Sequence, residues 1–248
     1  MDKFLSLQNG GKLSFRHISG KKETEVLFMH GTLSDKNASK SLFLEELCKK
    51  HQIGYTAFDF TGHGDSSGNY TDGTIGIWLE NATEIIDRVT QGSLILVGSS
   101  MGGWISLLAA RMRPNRLKAV IGLAAAADFT VDVWNSFSEE QKKEIRDKGV
   151  IYTPNGWTEQ GDPWALALFE DAEKYLLLNG TDSLDINCPI TLIHGRKDDC
   201  VPFETAFKIM DCAKTENVKV IVLKNSGHRL SEPHELAVLE TELLKLLA

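Results

Sequence analysis

Short apolar segments alternate with helical segments along most of this chain, and this alternation constrains the fold more than any other feature of the sequence. Strands are predicted at residues 12–18, 25–30, 54–60, 93–97, 117–123, 190–194 and 218–223. Helices are predicted from apolar spacing at residues 39–50, 75–89, 101–112, 203–213 and 232–247. Because most of the strands are apolar throughout, the pattern is typical of an α/β fold with a parallel sheet covered on both faces.

The connection between the strands at 117–123 and 190–194 breaks this alternation. Residues 128–187 are far more than a usual connection needs, and they contain three of the five tryptophans, Trp134, Trp157 and Trp164. One interpretation is an extra packing layer, and the other is a small helical lid whose tryptophans bind substrate. Ligands of open α/β sheets bind at the carboxyl edge, which favours the lid. The chain is therefore predicted to be a single domain, 1–248, with a lid insertion.

Residues 98–102 read Gly-Ser-Ser-Met-Gly and stand directly between a predicted strand and a predicted helix. This Gly-x-Ser-x-Gly pattern predicts a nucleophile elbow centred on Ser100, in which the serine occupies a tight and strained turn. Gly98 and Gly102 are required there because side chains would collide with neighbouring backbone. The helix that follows offers free N–H groups and the positive end of its dipole.

A serine nucleophile of this kind needs an acid and then a histidine further along the chain. The loop after the strand at 190–194 offers Asp198 and Asp199, and the spacing Gly-x-x-Asp-x-x-Val-Pro favours Asp198. The next strand leads to His228 in the loop before the last helix, which fits the role of the base. An acidic turn in solvent and an ordinary loop histidine are the alternatives for these residues. Three further histidines in His-Gly turns are interpreted as structural: His30, His63 and His194.

Backbone N–H groups are predicted to stabilise the oxyanion that forms when Ser100 attacks an acyl carbonyl. One is the N–H of Met101, the residue after the nucleophile, and the second is that of Thr32 in the loop after the strand at 25–30, with Leu33 as the alternative. In this mechanism His228 accepts the serine proton and Asp198 orients the imidazole. Neither a cofactor nor a metal is required.

Four motifs and a closing histidine follow the order of the α/β-hydrolase superfamily, which the chain resembles over nearly its whole length. The motifs are His30-Gly31, Asp59-x-x-Gly62-x-Gly64-x-Ser66, Gly98-x-Ser100-x-Gly102 and Gly195-x-x-Asp198-x-x-Val201-Pro202, closed by His228. Within it, the segments HGTLSDKNASK, FDFTGHGDSSG and HGRKDDCVP are similar to a type of member that hydrolyses palmitoyl thioesters of proteins and acyl glucuronides. The resemblance implies an α/β-hydrolase fold, a mostly parallel, doubly covered sheet with a small helical lid.

The resemblance also implies hydrolysis of esters or thioesters through an acyl-enzyme on Ser100, with a small molecule or an acylated protein as substrate. Alternatives are an esterase of small soluble esters or acyl glucuronides, and a C–C bond hydrolase with the same three residues. A binding module without activity is disfavoured because such proteins usually lose one of the three, and here all are present in order. The oligomeric state is left open.

Composition and charge exclude some classes of partner and indicate a location for the protein. The net charge is -7, and no block rich in Lys or Arg suggests nucleic-acid binding. Four cysteines without CxxC spacing predict thiols rather than disulfides or a zinc site. The N-terminal residues resemble neither a signal peptide nor an Arg-rich transit peptide, and no apolar run is long enough for a membrane anchor. These observations predict a cytoplasmic protein.

Overall fold

The computed structural model describes residues 2–155, 159–178 and 184–247. The strands are β1 (Lys3–Ser6), β2 (Lys12–Ile18), β3 (Thr24–Met29), β4 (Gly54–Phe58), β5 (Ser93–Ser99), β6 (Leu117–Leu123), β7 (Val150–Thr153), β8 (Asp162–Ala165), β9 (Ile190–Gly195) and β10 (Val218–Leu223). The helices are α1 (Ser39–His51), α2 (Ile75–Arg88), α3 (Met101–Met112), α4 (Phe129–Ser136), α5 (Glu139–Lys148), α6 (Leu166–Ala172), α7 (Glu204–Cys212) and α8 (Pro233–Leu247).

Eight of these strands form one sheet in the order β1-β2-β4-β3-β5-β6-β9-β10. All neighbours from β4 to β10 pair in parallel, whereas β1 and β2 pair antiparallel at one edge. The prediction of a mostly parallel sheet is confirmed. The short strand β1 was not predicted, because KFLS is only four residues long and has no clear alternation.

Helices cover both faces of the sheet, as its apolar strands require. Successive side chains of a strand point to opposite faces. Leu27 and Leu96 therefore belong to the apolar cluster that includes side chains of α2, α3 and α7, while Val26 and Ile95 belong to the cluster that includes side chains of α1 and α8. Each such side chain, removed completely from water, contributes roughly 1.5–3 kcal/mol of hydrophobic stabilisation.

Helix α3 packs on the central strands and is buried along most of its length. The loops after β3, β5, β9 and β10 all leave the sheet at this edge, because parallel strands end on the same side. Residues far apart in sequence are thereby brought to one place.

Between β6 and β9 the described residues of the insertion contain α4, α5, α6 and a two-stranded antiparallel sheet of β7 and β8. The insertion was predicted to be helical, and the β7–β8 pair corrects that picture. VIYT and DPWA are too short, and the second too irregular with its proline, to be recognised as strands. The insertion has its own small apolar core, built from four buried side chains: Phe137, Ile145, Ile151 and Phe169.

The carboxylate of Asp128 closes the insertion at its base. It accepts hydrogen bonds from the N–H groups of Leu177 and Leu178, the nearest at 2.9 and 2.8 Å. Burial raises the pKa of Asp128, although these N–H groups oppose the shift. Asp128 therefore joins the start of the insertion to residues 177 and 178 near its end.

Candidate active site

Ser100 occupies a strained turn between β5 and α3. Its backbone angles are φ 54° and ψ -120°, a region that residues other than glycine rarely adopt. The turn is held by neighbouring backbone: the Ser100 N–H donates to Leu123 O at 2.9 Å, and the Ser100 carbonyl accepts from Ala126 N–H at 3.1 Å. A side chain at Gly98 would collide with the Gly102 carbonyl, as the sequence predicted.

His228 lies between Ser100 and Asp198. Its Nε2 is 3.1 Å from Ser100 Oγ, and its Nδ1 is 2.8 Å from Asp198 Oδ2. These two distances join three residues that are 128 and 30 positions apart along the chain. The loop of His228 is further held by Lys40 of α1, whose ammonium group donates to the carbonyl of Arg229. Burial lowers the pKa of Lys40 to about 8.

Four N–H groups surround the carboxylate of Asp198. Oδ1 accepts from the backbone N–H groups of Cys200 and Val201 at 2.9 and 2.8 Å, and Oδ2 lies 2.8 Å from His228 and 3.0 Å from His194. Burial by itself would raise the pKa of Asp198, but these hydrogen bonds hold the pKa well below its usual range. Asp198 is therefore a carboxylate, and His228 must carry its proton on Nδ1, which leaves Nε2 free to accept from Ser100.

The loop after β3 lies against Ser100. A Cβ atom at Gly31 would be 3.0 Å from Ser100 Cβ and 3.6 Å from its hydroxyl oxygen. Within the described ranges, neither the Thr32 N–H nor the Met101 N–H donates a hydrogen bond to another protein atom. Both predicted oxyanion donors therefore lie in segments beside Ser100: Thr32 follows Gly31, and Met101 follows the serine itself.

His30 fixes the orientation of the peptide that carries the Thr32 N–H. Its Nδ1 is 2.7 Å from the Gly31 carbonyl oxygen, and its Nε2 accepts from the Phe60 N–H at 3.3 Å. Burial lowers the pKa of His30 to about 4, so the ring is neutral at physiological pH. Because a trans peptide is planar, the Gly31 carbonyl and the Thr32 N–H point in opposite directions. The hydrogen bond to His30 thus turns the Thr32 N–H away from the His30 ring.

Lys36 ties the same loop to the loop after β4. Its ammonium group is fully buried and contacts Asp59 at 2.8 Å and Asp65 at 2.7 Å, while its backbone N–H donates to Asp59 Oδ1 at 2.7 Å. Burial alone would lower the pKa of Lys36, but the bonds to Asp59 and Asp65 raise it. The Lys36–Asp59 pair was not predicted from the sequence. A lysine close to the first His-Gly turn and the aspartate of the Asp-x-x-Gly motif were the available signals.

A cleft of about 560 Å³ opens beside Asp198, between α4 and the loop after β9. Asp132, Val133 and Ser136 of α4 face it, opposite Arg196 and Phe203. Arg196 stacks its guanidinium group on the Phe203 ring at 4.1 Å from the ring centre. The insertion therefore forms one wall of a cleft that borders the candidate active site.

Trp134 and Trp164, two of the tryptophans predicted to bind substrate, are partly buried and pack against the apolar core of the insertion. Trp134 packs against Phe137 and Phe169, with ring centres 6.1 and 5.2 Å away, and Trp164 contacts the same two rings. Trp157 lies outside the described residues. Contact of these residues with substrate stays a prediction, since the contacts seen for Trp134 and Trp164 are those of a packing core.

The same site offers three possible metal-ligating groups. Atoms of Asp198, Cys200 and His228 lie within 4.8 Å of one another. However, each Asp198 oxygen already has two N–H donors, and both His228 nitrogens face a partner. This arrangement suits proton transfer from a hydroxyl better than it suits a metal ion.

The comparisons with known proteins agree with this geometry. The model of the alpha/beta hydrolase family matches residues 26–239, and the chain belongs to that family. The human palmitoyl-protein thioesterase ABHD10, mitochondrial, is 38% identical over 95% of this chain and 76% of its own length; the bovine protein of that name is 37% identical over the same shares. The structure of mouse alpha/beta hydrolase domain-containing protein 10 has a TM-score of 0.91 at 33% identity, covering 100% of this chain and 98% of the mouse chain.

The family and the relatives confirm that the chain is a hydrolytic enzyme with the α/β-hydrolase fold. The predicted cytoplasmic location is wrong by the same comparison, since these relatives are mitochondrial by name. The composition of the folded residues contains no targeting signal, so it was a poor guide to location. Among the described residues, no helix has both the length and the apolar character needed to cross a membrane.

Proposed function

We propose that this protein is a serine hydrolase in which Ser100, His228 and Asp198 form the catalytic triad. One observation carries the proposal: His228 lies within hydrogen-bond distance of both partners, 3.1 Å from Ser100 Oγ and 2.8 Å from Asp198 Oδ2. A serine hydroxyl is a weak nucleophile until a base accepts its proton, and an imidazole held by a carboxylate is suited to that task.

The reaction then proceeds in two halves. Ser100 Oγ attacks the acyl carbonyl carbon while its proton passes to His228 Nε2, and Asp198 stabilises the resulting imidazolium. The tetrahedral intermediate collapses, the bond to the leaving alcohol or thiol breaks, and His228 returns the proton to that leaving group. Water activated by His228 then cleaves the acyl-enzyme and restores the serine.

The N–H groups of Thr32 and Met101 are proposed to stabilise the negatively charged oxygen of both tetrahedral intermediates. Their support is the lack of another protein acceptor within the described ranges and the position of their segments beside Ser100. Removal of one such donor typically lowers turnover by about 10²–10³. Leu33, the alternative donor, has a positive φ of 52° and a half-exposed side chain, which places it at the rim of the loop.

For the substrate, we propose an acyl thioester or ester, with an acylated protein as the leading candidate. The relatives named palmitoyl-protein thioesterase support it, since they match 95% of the chain. A thiol is a better leaving group than an amine, and the mechanism has no step that would restrict it to oxygen esters. An esterase of small soluble esters or acyl glucuronides and a C–C bond hydrolase use the same three residues and are the alternatives to be tested.

We also propose that the whole chain acts as one domain, in which the insertion at 128–187 serves as a lid over the carboxyl edge of the sheet. The cleft between α4 and the loop after β9 supports this role. The insertion is tied to the body of the enzyme by the Trp104 side chain, which donates to Tyr175 O at 3.2 Å, and by Asp171, which accepts from Gly76 N–H at 2.7 Å.

A fluorophosphonate probe tests the proposed nucleophile. We expect the wild-type protein to be labelled covalently, and Ser100→Ala to lose both labelling and hydrolysis. Ser99→Ala is the matched control, because Ser99 is the neighbouring serine at the end of β5 and its side chain has no role in the mechanism. A folded wild type that is not labelled, or a labelled Ser100→Ala, would refute the assignment.

The substrate class is tested separately with a series of acyl thioesters and acyl nitrophenyl esters of two to sixteen carbons and with a palmitoyl-cysteine peptide. A preference for long chains that extends to the peptide supports an acyl-protein thioesterase. A steep preference for two to four carbons would instead support the small-ester alternative, whichever residue is the nucleophile.

A further inference from the structure

His194 lies on β9, on the buried side of the candidate triad. Its side chain is almost completely buried, and its Nε2 lies 3.0 Å from Asp198 Oδ2 and 3.1 Å from the Val201 carbonyl oxygen. The oxygen of Asp198 that it approaches is the one that faces His228. Two imidazole rings therefore converge on one carboxylate oxygen, one from the active site and one from the core.

The partners of His194 determine where its proton lies. A backbone carbonyl can only accept a hydrogen bond, and Asp198 is ionised, so both neighbours of Nε2 are acceptors. The His194 Nε2 atom must therefore carry the proton, and this single N–H faces both the Val201 carbonyl oxygen and Asp198 Oδ2. His194 and His228 are in opposite tautomers, one donating through Nε2 and the other through Nδ1.

This contact also joins the two ends of the turn that carries Asp198. The Val201 N–H donates to Asp198 Oδ1 at 2.8 Å, while the Val201 carbonyl lies next to His194. His194 thus contacts both the side chain of Asp198 and Val201, whose N–H donates to the other oxygen of that side chain. A rotation of the carboxylate would break bonds on both of its oxygens.

We propose that His194 is a positioning residue for the proposed triad, acting through Asp198 in two ways. It holds the carboxylate in the plane that His228 Nδ1–H requires, and it shares the negative charge of Oδ2 with His228. The inference rests on the proposed catalytic role of Asp198. The His194-Gly195 pair thereby has a positioning role, whereas the sequence predicted only a structural role for His194.

The variant that removes the donor but keeps a ring of similar size is His194→Phe. We expect kcat per active site to fall about 10-fold with little change in KM, the size seen when a supporting hydrogen bond behind a reactive group is removed. With His194 gone, Asp198 interacts more strongly with the His228 imidazolium. The acid limb of kcat/KM should therefore move to higher pH.

His194→Gln places an amide N–H near the position of Nε2 and should recover most of the activity and the original acid limb. His63→Phe is the matched control for the loss of a buried histidine, because His63 is also in a His-Gly turn but contacts the Thr61 carbonyl, the His30 ring and Trp78 rather than a carboxylate. Active sites are counted with the fluorophosphonate probe, so a loss of folded protein does not count as a loss of kcat. An unshifted acid limb with wild-type kcat in His194→Phe would overturn the proposal.

A measurement on the unmodified protein keeps the inference testable even if His194→Phe does not fold. Nitrogen NMR of the histidine rings should show the proton of His194 on Nε2, the atom that faces Val201 O and Asp198 Oδ2. The opposite tautomer would refute the contact to Asp198. If the wild type is labelled only at Ser100 while His194 fails these tests, the inference falls and the proposed function stands; a wild type without labelling removes the proposed function itself.

Discussion

The His30-Gly31 turn after β3 and the His194-Gly195 turn at the end of β9 look alike in sequence, yet their imidazole rings have different partners. His30 uses Nδ1 to bind the backbone carbonyl of its own neighbour, Gly31. His194 uses Nε2 to approach a side-chain carboxylate, that of Asp198, four residues further along. Both rings are almost completely buried at the carboxyl edge of the sheet. The difference lies in what each following loop supplies.

The loop after β3 supplies backbone N–H groups, so the histidine there orients a peptide. The loop after β9 supplies a carboxylate, so the histidine there orients a side chain. A buried imidazole is suited to both tasks because it is rigid and offers one donor and one acceptor when neutral. Substitutions test this difference when they remove the supported group, the histidine that supports it, or the neighbouring acid Asp199.

The largest effect should come from removing the supported carboxylate. In Asp198→Asn, the amide cannot stabilise the imidazolium and favours the wrong His228 tautomer, so kcat should fall by about 10⁴. Steady-state kinetics with an activated ester measures the loss. A decrease of less than tenfold would mean that the β9 turn does not carry the triad acid.

Removal of His30, which orients the peptide after β3, should have the next largest effect on kcat. In His30→Phe the Gly31–Thr32 peptide is free to rotate, and we expect kcat per labelled active site to fall by about 10². KM and the acid limb of kcat/KM should stay unchanged, in contrast to His194→Phe, because Asp198 and His228 are untouched. An acid limb that moves equally in both variants would show that the two turns do not act separately.

Acid should destabilise the fold through the buried histidines before it affects Asp198. Burial lowers the pKa of His30 and of His63 from 6.5 to about 4, so the unfolded chain binds these protons more tightly than the folded chain. The free energy of unfolding should therefore decrease as pH falls from about 6.5 to about 4, by about 2–3 kcal/mol per histidine. The pKa of Asp198 is depressed, so its contribution is lost only below about pH 4.

Urea denaturation at pH 7, 5.5 and 4.5 measures this loss of stability. His63→Phe should make the dependence on pH shallower, because one of the two buried rings is then unable to titrate. A wild-type curve that is flat down to pH 4.5 would contradict the neutral, buried state of these rings.

The smallest effect should come from Asp199→Asn, which is the matched control for Asp198. Asp199 is exposed and directly adjacent in the same turn, but the N–H groups of Cys200 and Val201 donate to Asp198. We expect kcat/KM to stay within about twofold of the wild type, as is usual for surface substitutions. A large loss here would shift the assignment of the acid to Asp199.

Most of the sheet and the three proposed triad residues could be predicted from the sequence. Apolar strands and helical spacing report directly on burial, and the predicted bounds of α3, β6 and β10 agree with the structure. The Gly-x-Ser-x-Gly turn is recognisable because close backbone contacts allow only glycine at its two ends. These features are local, so they are visible without a structure.

The supporting contacts could not be predicted in the same way. A His-Gly pair looks the same whether its imidazole binds a peptide or a carboxylate, and the Lys36–Asp59 pair joins loops 23 residues apart. For His194 a signal did exist, because a histidine four residues before the candidate acid can contact that acid across one turn. The strands β7 and β8 were missed because four residues are too few to show a period.

The bond between Asp128 and the N–H groups of Leu177 and Leu178 also bears on how this enzyme can change over generations. The strands on either side of the insertion, β6 and β9, are direct neighbours in the sheet, so the inserted chain begins and ends at adjacent points. Its length and sequence are therefore expected to vary without a change in the register of the two strands that flank it. Substrate preference can thus diverge while the chemistry is inherited unchanged.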